Sequence, residues 1–331
     1  MLSDPRLNDS MLVVQDAYHA SDLPSGGVAA IGNFDGVHRG QREILRKVVA
    51  RADELGLIPM VLTFEPHPKK VLHPDLAPLR LTTPEQKKAL MEEAGVEAML
   101  VVRFTLELAA TPAEEFVRCF LHERLALREV YVGESFTFGH RRQGNLALLQ
   151  RLGGELGFVA HGMEEVTYRG ERVSSTRIRR ALAEGRVDDT LEMLGRPYAI
   201  TGTVVQGDRM GKRLGWPTIN VAPDNEILPA NGVYAGRVVF PDFPAPFEAV
   251  TNIGTRPTVY ENHQRVVESH ILDFNTDVYG KPVEVQFHKR LREERIFPTV
   301  MDLSAQIGRD VESTREFFAA RRRLEREGVI L

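Results

Sequence analysis

The chain has 331 residues, of which 43% are hydrophobic and 27% are charged, and its formal net charge is −4. This length predicts two domains with ample buried core. The acidic balance supplies no general basic field, which argues against a dedicated nucleic-acid binder. Charges interrupt residues 1–20, and no apolar run approaches the length that spans a membrane. We therefore expect a cytoplasmic protein without a signal peptide.

The single cysteine, Cys119, cannot take part in an intrachain disulfide, which fits a reducing compartment. It lies between Phe116, Phe120 and Leu121 on a helical pattern. This pattern predicts a buried structural thiol and not a nucleophile.

The first half of the chain alternates short apolar runs with helical patterns. The apolar runs predict strands over residues 28–33, 58–64, 98–104 and 129–133. Strands that alternate with helices form mostly parallel sheets, and such sheets bind ligands at the C-terminal ends of their strands. The first half is therefore predicted to be an α/β domain.

The helices between these strands carry recognisable start signals. Apolar residues recur at helical spacing over residues 38–55. Thr83-Pro84-Glu85-Gln86 predicts an N-cap, a first-turn proline and a capping box, and Gly95 predicts the end of that helix. Thr111-Pro112-Ala113-Glu114 has the same signature and predicts another helix start.

Residues 207–220 combine glycines and cations with a rigid Pro-Thr-x-Asn element. Glycine permits conformations in which backbone N–H groups turn toward a polyphosphate. Pro217 favours an extended segment, so Thr218 and Asn220 point to one face and offer hard oxygen donors suited to Mg²⁺. The spacing matches neither a Walker loop nor a protein-kinase glycine loop. A Gly-rich hairpin in a β domain explains these residues equally well, so this stretch alone leaves both interpretations open.

Further motifs follow at residues 232–234, 252–258, 267–270, 279–281 and 291–297. In this order and spacing the second half resembles the riboflavin kinase family, from about residue 195 to the C-terminus. The resemblance implies a small antiparallel β-barrel with a C-terminal helix. It also implies that Thr218 and Asn220 ligate the Mg²⁺ of ATP, while Glu268 activates the riboflavin 5′-hydroxyl. Further residues implied at this site are Gly207, Gly211, Lys212, Gly215 and Pro217 for ATP, and Arg292 on the flavin side.

The surroundings of Glu268 are consistent with a catalytic role. Apolar residues occupy both alternating faces of the predicted strand at 266–272. A carboxylate in such a strand is costly unless it is exposed, paired or functional. On the residues alone, an edge-strand glutamate paired with Arg292 or Lys289 is the favoured interpretation. The resemblance instead favours a general base.

The loop at residues 32–41 joins the first predicted strand to a helix, whose first N–H groups form a ready anion site. With the stretches at 63–68, 132–139 and 173–179, this loop is similar to the adenylyltransferase half of the bacterial riboflavin kinase/FAD synthetases. The resemblance implies a Rossmann-like nucleotidylyltransferase domain with a parallel sheet, in which FMN attacks the α-phosphorus of ATP. Residues implied at ATP and its phosphates are Gly32, Asn33, Phe34, Asp35, His38, Gln41, Ser175, Thr176 and Arg179, with His38 also a catalytic candidate. Residues implied at the flavin are Phe64, Pro66, Ser135 and Phe138.

Two positions in the first half depart from the family pattern. Gln41 stands where the family has a second histidine, and glutamine can donate a hydrogen bond but cannot become cationic. Ser135 stands where the family usually has Asn or Asp. Arg39 and Arg42 flank the altered site and could supply charge from another direction.

Three functions therefore compete. The first is a bifunctional enzyme that makes FMN from riboflavin and then FAD from FMN, in domains at 1–194 and 195–331. The second is a riboflavin kinase whose adenylyltransferase domain is weak or inactive, and the third is a flavin-responsive binding or regulatory protein. Glu268 argues against the third, because a mere binder needs no base. The expected ligands are ATP with Mg²⁺, riboflavin, FMN and FAD, with no nucleic acid or membrane partner; the sequence leaves an oligomer open.

Overall fold

The computed structural model describes residues 10–207, 211, 214–256 and 264–328. The chain divides into two compact units, Met1–Ser174 and Ser175–Leu331. The first unit contains a parallel sheet and the second a closed antiparallel barrel, so the predicted fold class is confirmed.

The first unit is built on a six-stranded sheet with the order β1-β4-β3-β2-β5-β6. All of its paired strands are parallel. The order reverses at β2, because β3 lies on one side of it and β5 on the other. The strands are β1 Leu12–Gln15, β2 Val28–Ile31, β3 Pro59–Glu65, β4 Ala98–Arg103, β5 Glu129–Gly133 and β6 Val159–Met163.

Helices cover both faces of this sheet. Val28 and Ala30 contribute to one apolar cluster, and the alternating Ala29 and Ile31 contribute to another, as expected for a strand buried on both faces. The helices are α1 Arg39–Leu55, α2 Pro68–Leu72, α3 Pro84–Glu93, α4 Leu106–Ala110, α5 Ala113–Glu115, a π-helix at Phe116–Arg124, and α6 Leu146–Leu156. A short hairpin, β7 Thr167–Tyr168 and β8 Glu171–Arg172, follows the sheet.

Both predicted helix starts are present, at Pro84 and Ala113, but only the first has the predicted threonine cap. Thr83 caps α3 in a capping box with Gln86, as predicted. Thr111 instead follows α4 as its C-cap residue, and the N-cap position of α5 is occupied by Pro112, which makes no side-chain capping bond. The short α4 was not predicted. Thr111, which was predicted to cap the start of the next helix, instead follows the last residue of α4.

Cys119 is exposed, so the prediction of a buried thiol is wrong. It lies in the π-helix, where Phe116, Val117, Phe120 and Leu121 are the buried residues. A π-helix has a wider turn than an α-helix, so residues four and five apart share a face. Position 119 consequently turns away from the core.

The second unit is a closed barrel with the strand order β10-β13-β12-β11-β14-β9. Every strand pair in it is antiparallel. The strands are β9 Tyr198–Val205, β10 Ile219–Pro223, β11 Gly232–Val239, β12 Phe247–Arg256, β13 Gln264–Ile271 and β14 Pro282–Arg292. Along β13, Val267, Ser269 and Ile271 are buried, whereas Glu268 and His270 are half-buried.

Three helices accompany the barrel. α7 Ser175–Ala183 and α8 Val187–Leu194 precede it, and α8 contacts β9 and β14. The long α9, Val300–Arg326, follows it. Val311 of α9 completes an apolar cluster with Val233, Val250 and Leu272 on the barrel. The domain boundary at Leu194 and Gly195 coincides with the end of α8 and stays a prediction, because the second compact unit begins at Ser175.

Candidate active sites

A cavity of about 490 Å³ lies in the barrel unit, between the strands and α9. This volume is in the range of sites for small ligands. Apolar side chains in its lining include Trp216, Val233, Val250, Leu303 and Ile307. Polar side chains in its lining include Thr218, Asn252, Glu268, His270, Arg292, Glu294 and Asp310. An apolar wall with converging polar groups suits a small ligand that has both apolar and polar parts.

Glu268 lies at the centre of a short row of polar residues. Asn220 on β10 and Asn252 on β12 are its direct partners in the two antiparallel registers. Residues directly opposite in such a pair project to the same face, with Cβ atoms about 5 Å apart. The carboxylate is therefore flanked by an amide on each side. Asn252 was not predicted as a site residue, although it opens the motif at residues 252–258; its place beside Glu268 follows from the strand register.

The glycine-rich segment before β10 leaves room for the predicted metal ligands. A Cβ at Gly207 would clash with the amide group of Asn220. A Cβ at Gly211 would lie 3.1 Å from the Thr218 hydroxyl and would clash with the Trp216 carbonyl oxygen. Gly215 has a φ of 82°, a left-handed conformation that favours glycine. The close contacts explain glycine at positions 207 and 211, and the backbone angle explains it at 215. Lys212 lies outside the described residues.

The segment that carries Thr218 is held from two directions. His270 donates from Nδ1 to the Pro217 carbonyl oxygen at 2.8 Å, and its ring meets Trp216 edge-on. The Trp216 indole in turn donates to Ser304 of α9 at 3.0 Å. The Pro-Thr-x-Asn element is thereby fixed to both the barrel and the C-terminal helix.

Arg292 is paired with a carboxylate on α9. Its guanidinium donates to Asp310 at distances of 2.8–3.1 Å, and Asp310 also accepts from Gln306 at 2.8 Å. Lys289, the other partner considered for Glu268, places its ammonium 5.7 Å from the centre of the Phe317 ring. The two cations considered as structural partners of Glu268 thus contact other groups.

A second candidate site lies at the C-terminal edge of the parallel sheet. The loops after β2 and β5 flank the position where the strand order reverses, which is the place where open α/β sheets bind ligands. The β2 loop leads directly into α1, whose first N–H groups favour an anion. Phosphate binding at this edge fits both features.

His38 and Gln41 form a capping box at the start of α1. The His38 ring accepts at Nδ1 from the Gln41 N–H at 3.4 Å, and the Gln41 side-chain oxygen accepts from the His38 N–H at 3.1 Å. Because Nδ1 accepts, a neutral His38 ring carries its proton on Nε2, which is a donor suited to a phosphate oxygen. Gln41 therefore has a local structural role that the sequence analysis did not assign.

Other predicted residues of the β2 loop make contacts within the first unit. The Asn33 side-chain amide lies 3.3 Å from Nε2 of His67, and Asp35 accepts from the Leu81 N–H at 2.9 Å. Phe34 is 1% exposed and belongs to the apolar core. Its contact with a nucleotide stays a prediction.

The predicted flavin residues lie near the end of β3, which contains Phe64, and on the loops after β3 and β5. Phe64 is buried and meets Phe104 edge-on at 6.2 Å. Phe138 stacks on Phe136 with ring centres 5.6 Å apart. Pro66 is half-buried and Ser135 is exposed. Their roles toward a flavin stay predictions.

The remaining phosphate candidates belong to the second compact unit. Ser175 is the first residue of α7, and Thr176 and Arg179 follow on the same helix. Thr176 is exposed and Arg179 is half-buried. Their action on ATP stays a prediction.

The chain matches two family models and a named relative over most of its length. The family model described as FAD synthetase matches residues 20–177, and that described as riboflavin kinase matches residues 194–318. A protein of Escherichia coli K12 named bifunctional riboflavin kinase/FMN adenylyltransferase is 40% identical over 310 residues, covering 93% of this chain and 98% of the relative. The chain belongs to this bifunctional family.

Two further relatives and one solved structure are similar to this chain over most of its length. A relative of the same name from Pseudomonas fluorescens is 38% identical, and one from Haemophilus influenzae is 36% identical; each match covers 93% of this chain and nearly all of the relative. A crystal structure named a macrolide-efflux protein from Streptococcus pneumoniae has a TM-score of 0.83 and 29% identity, covering 92% of this chain and 98% of its own.

Within the described residues, no helix is both long and apolar enough to cross a bilayer. Nor do three or more His, Cys, Asp or Glu side chains gather there in a metal-binding group.

Proposed function

We propose that the barrel pocket phosphorylates riboflavin with ATP, and that the sheet site then transfers the adenylyl group of a second ATP to FMN. The kinase part of this proposal rests on the alignment of Asn220, Glu268 and Asn252 beside a cavity of about 490 Å³. Membership of the bifunctional family supports both reactions.

Glu268 is the general base of the proposed kinase reaction. The riboflavin 5′-oxygen attacks the γ-phosphorus of ATP, the bond to the β–γ bridging oxygen breaks, and ADP leaves. Glu268 takes the hydroxyl proton in this step, a role that requires its carboxylate within hydrogen-bond reach of that hydroxyl. The apolar part of the cavity excludes water and holds the flavin ring.

Thr218 and Asn220 are suited to hold the Mg²⁺ that accompanies ATP. The hydroxyl and the amide offer oxygen ligands, and Gly207 and Gly211 leave space beside them. When bound, the ion would neutralise phosphate charge.

The proposed adenylyl transfer needs no covalent intermediate with the protein. A phosphate oxygen of FMN attacks the α-phosphorus of ATP, the bond to the α–β bridging oxygen breaks, and pyrophosphate leaves. The chain contributes placement and charge stabilisation, through His38 and the first N–H groups of α1. Ser175, Thr176 and Arg179 are the further groups assigned to the phosphates by family resemblance.

We also propose a cytoplasmic location, supported by the use of ATP and by a chain with one cysteine.

The test is to incubate the purified protein with riboflavin, ATP and Mg²⁺ and to resolve FMN and FAD by chromatography over time. FMN should form first, FAD should follow, and EDTA should stop FMN formation. A second incubation with FMN in place of riboflavin measures adenylylation alone. Failure to form FMN would reject the kinase assignment, and failure to form FAD from FMN would reject the adenylyltransferase assignment.

A further inference from the structure

We propose that Lys87, on α3, is a positioning residue for adenylyl transfer. Through an ion pair with Glu65 it fixes the end of β3, and through that strand end it fixes Asn33 in the loop after β2. This inference rests on the adenylyltransferase function proposed for the first unit.

The ion pair is unusually well shielded on the lysine side. The Lys87 side chain is 8% exposed, and its Nζ lies 3.0 Å from Oε1 of Glu65. Lysine is rarely buried unless it is paired, because its ammonium loses hydration. A lysine that served only solubility would lie on the outer face of α3, as Lys88 does with its side chain 44% exposed.

Glu65 transmits this constraint to the loops of the sheet site. It is the last residue of β3, and its carbonyl oxygen accepts from the Phe104 N–H at 2.9 Å. His67 follows two residues later, where its Nδ1 accepts from the Lys69 N–H at 3.1 Å and its Nε2 lies 3.3 Å from the Asn33 amide. A shift of Glu65 would therefore move the group that contacts Asn33.

A second contact joins the start of α3 to the same loop. Asp35 is buried, and its carboxylate accepts from the N–H of Leu81 at 2.9 Å. Thr83 then caps α3, and the Lys87 N–H donates to the Thr83 carbonyl oxygen at 2.9 Å. The segment at 81–87 thus connects to Asn33 through Glu65 and directly to Asp35. Family resemblance assigns both Asn33 and Asp35 to ATP.

The main variant is Lys87→Met, which keeps the length of the side chain and removes its charge. Its matched control is Lys88→Met, which removes the neighbouring, half-exposed lysine of the same helix. Adenylylation is measured with FMN supplied, and riboflavin phosphorylation in the same preparations reports on the barrel unit. We expect Lys87→Met to raise the KM for ATP in adenylylation about tenfold, because small displacements of positioning groups cost about this much or more. Phosphorylation should not change, Lys88→Met should match the wild type, and Lys87→Arg should recover most of the loss.

Thermal unfolding of each variant separates positioning from stability. The inference is overturned if Lys87→Met is folded at the assay temperature and retains the wild-type KM and kcat for adenylylation. If that variant does not fold, Glu65→Gln, which keeps an oxygen acceptor but removes the ion pair, takes its place with the same expected rise and the same refuting result. A wild-type protein that makes no FAD from FMN would instead reject the proposed function itself.

Discussion

His288 makes the stability of the barrel unit depend on pH. It is 4% exposed, and neither of its ring nitrogens has a hydrogen-bond partner among the described residues. It is the extra residue where β14 shifts register against β11, since Gly236 pairs with Phe287 and Ala235 with Lys289. Its ring packs edge-on against Phe318 of α9 at 5.2 Å.

This environment strongly favours the neutral imidazole. Burial, followed by the charges of Arg237 and Arg321, lowers the pKa of His288 from 6.5 to about 3. The folded-state pKa lies below the unfolded value, so the stability contribution is fully present above pH 6.5. It is lost as the pH falls from 6.5 toward 3, because the unfolded chain binds a proton that the folded chain excludes. At about 1.4 kcal/mol per pH unit, the loss between pH 7.5 and pH 5 is roughly 2 kcal/mol.

The perturbation is His288→Phe, which keeps an aromatic ring against Phe318 and removes the titrating group. Urea unfolding is followed by the fluorescence of Trp216, the single tryptophan of the chain, which lies in the barrel unit. We expect the advantage of the variant over the wild type to grow by roughly 2 kcal/mol between pH 7.5 and pH 5. An advantage that is equal at the two pH values would refute the assignment of a buried, neutral histidine.

Further predictions concern three contacts. Thr218→Ala and Asn220→Ala should each raise the Mg²⁺ concentration needed for riboflavin phosphorylation without lowering the urea midpoint, and an unchanged Mg²⁺ titration would reject the ligand assignment. Gln41→His should raise FAD formation from FMN, because a cationic imidazole stabilises the departing pyrophosphate better than a neutral amide, and this gain should exceed the loss of the capping bond from the His38 N–H; equal rates in the two proteins would mean that the neighbouring arginines already supply that charge. Asp310→Asn should destabilise the barrel by about 3 kcal/mol, since it leaves the Arg292 cation without its paired charge; Trp216-monitored unfolding measures this, and a change below about 1 kcal/mol would count against it.

Much of the first unit was predictable from local pattern, for a clear physical reason. Strands buried on both faces are continuous apolar runs, so β2, β3, β4 and β5 stand out in the sequence. The two edge strands do not. β1 is four residues long with both ends exposed, and β6 contains His161 and Gly162, so neither resembles a buried strand.

The barrel and its site required more than local pattern. Family resemblance implied Thr218, Asn220 and Glu268, but the row formed with Asn252 depends on strand registers, which local sequence pattern does not determine. Asp310 reaches the pocket only because α9 packs on the barrel. The capping role of Gln41 did have a signal, because glutamine three residues after an N-cap is the pattern already recognised at Thr83.

The central claim is that two separate reactions occur, with Glu268 serving only the first. The direct measurement compares Glu268→Gln with the wild type in two assays, FMN formation from riboflavin and FAD formation from supplied FMN. We predict that FMN formation falls on the order of a hundredfold or more, the scale of a positioned general base, while FAD formation from FMN stays at the wild-type rate. Near-normal FMN formation with a lowered urea midpoint would instead make Glu268 a structural residue, and an equal loss of both activities would contradict the separation of the two sites.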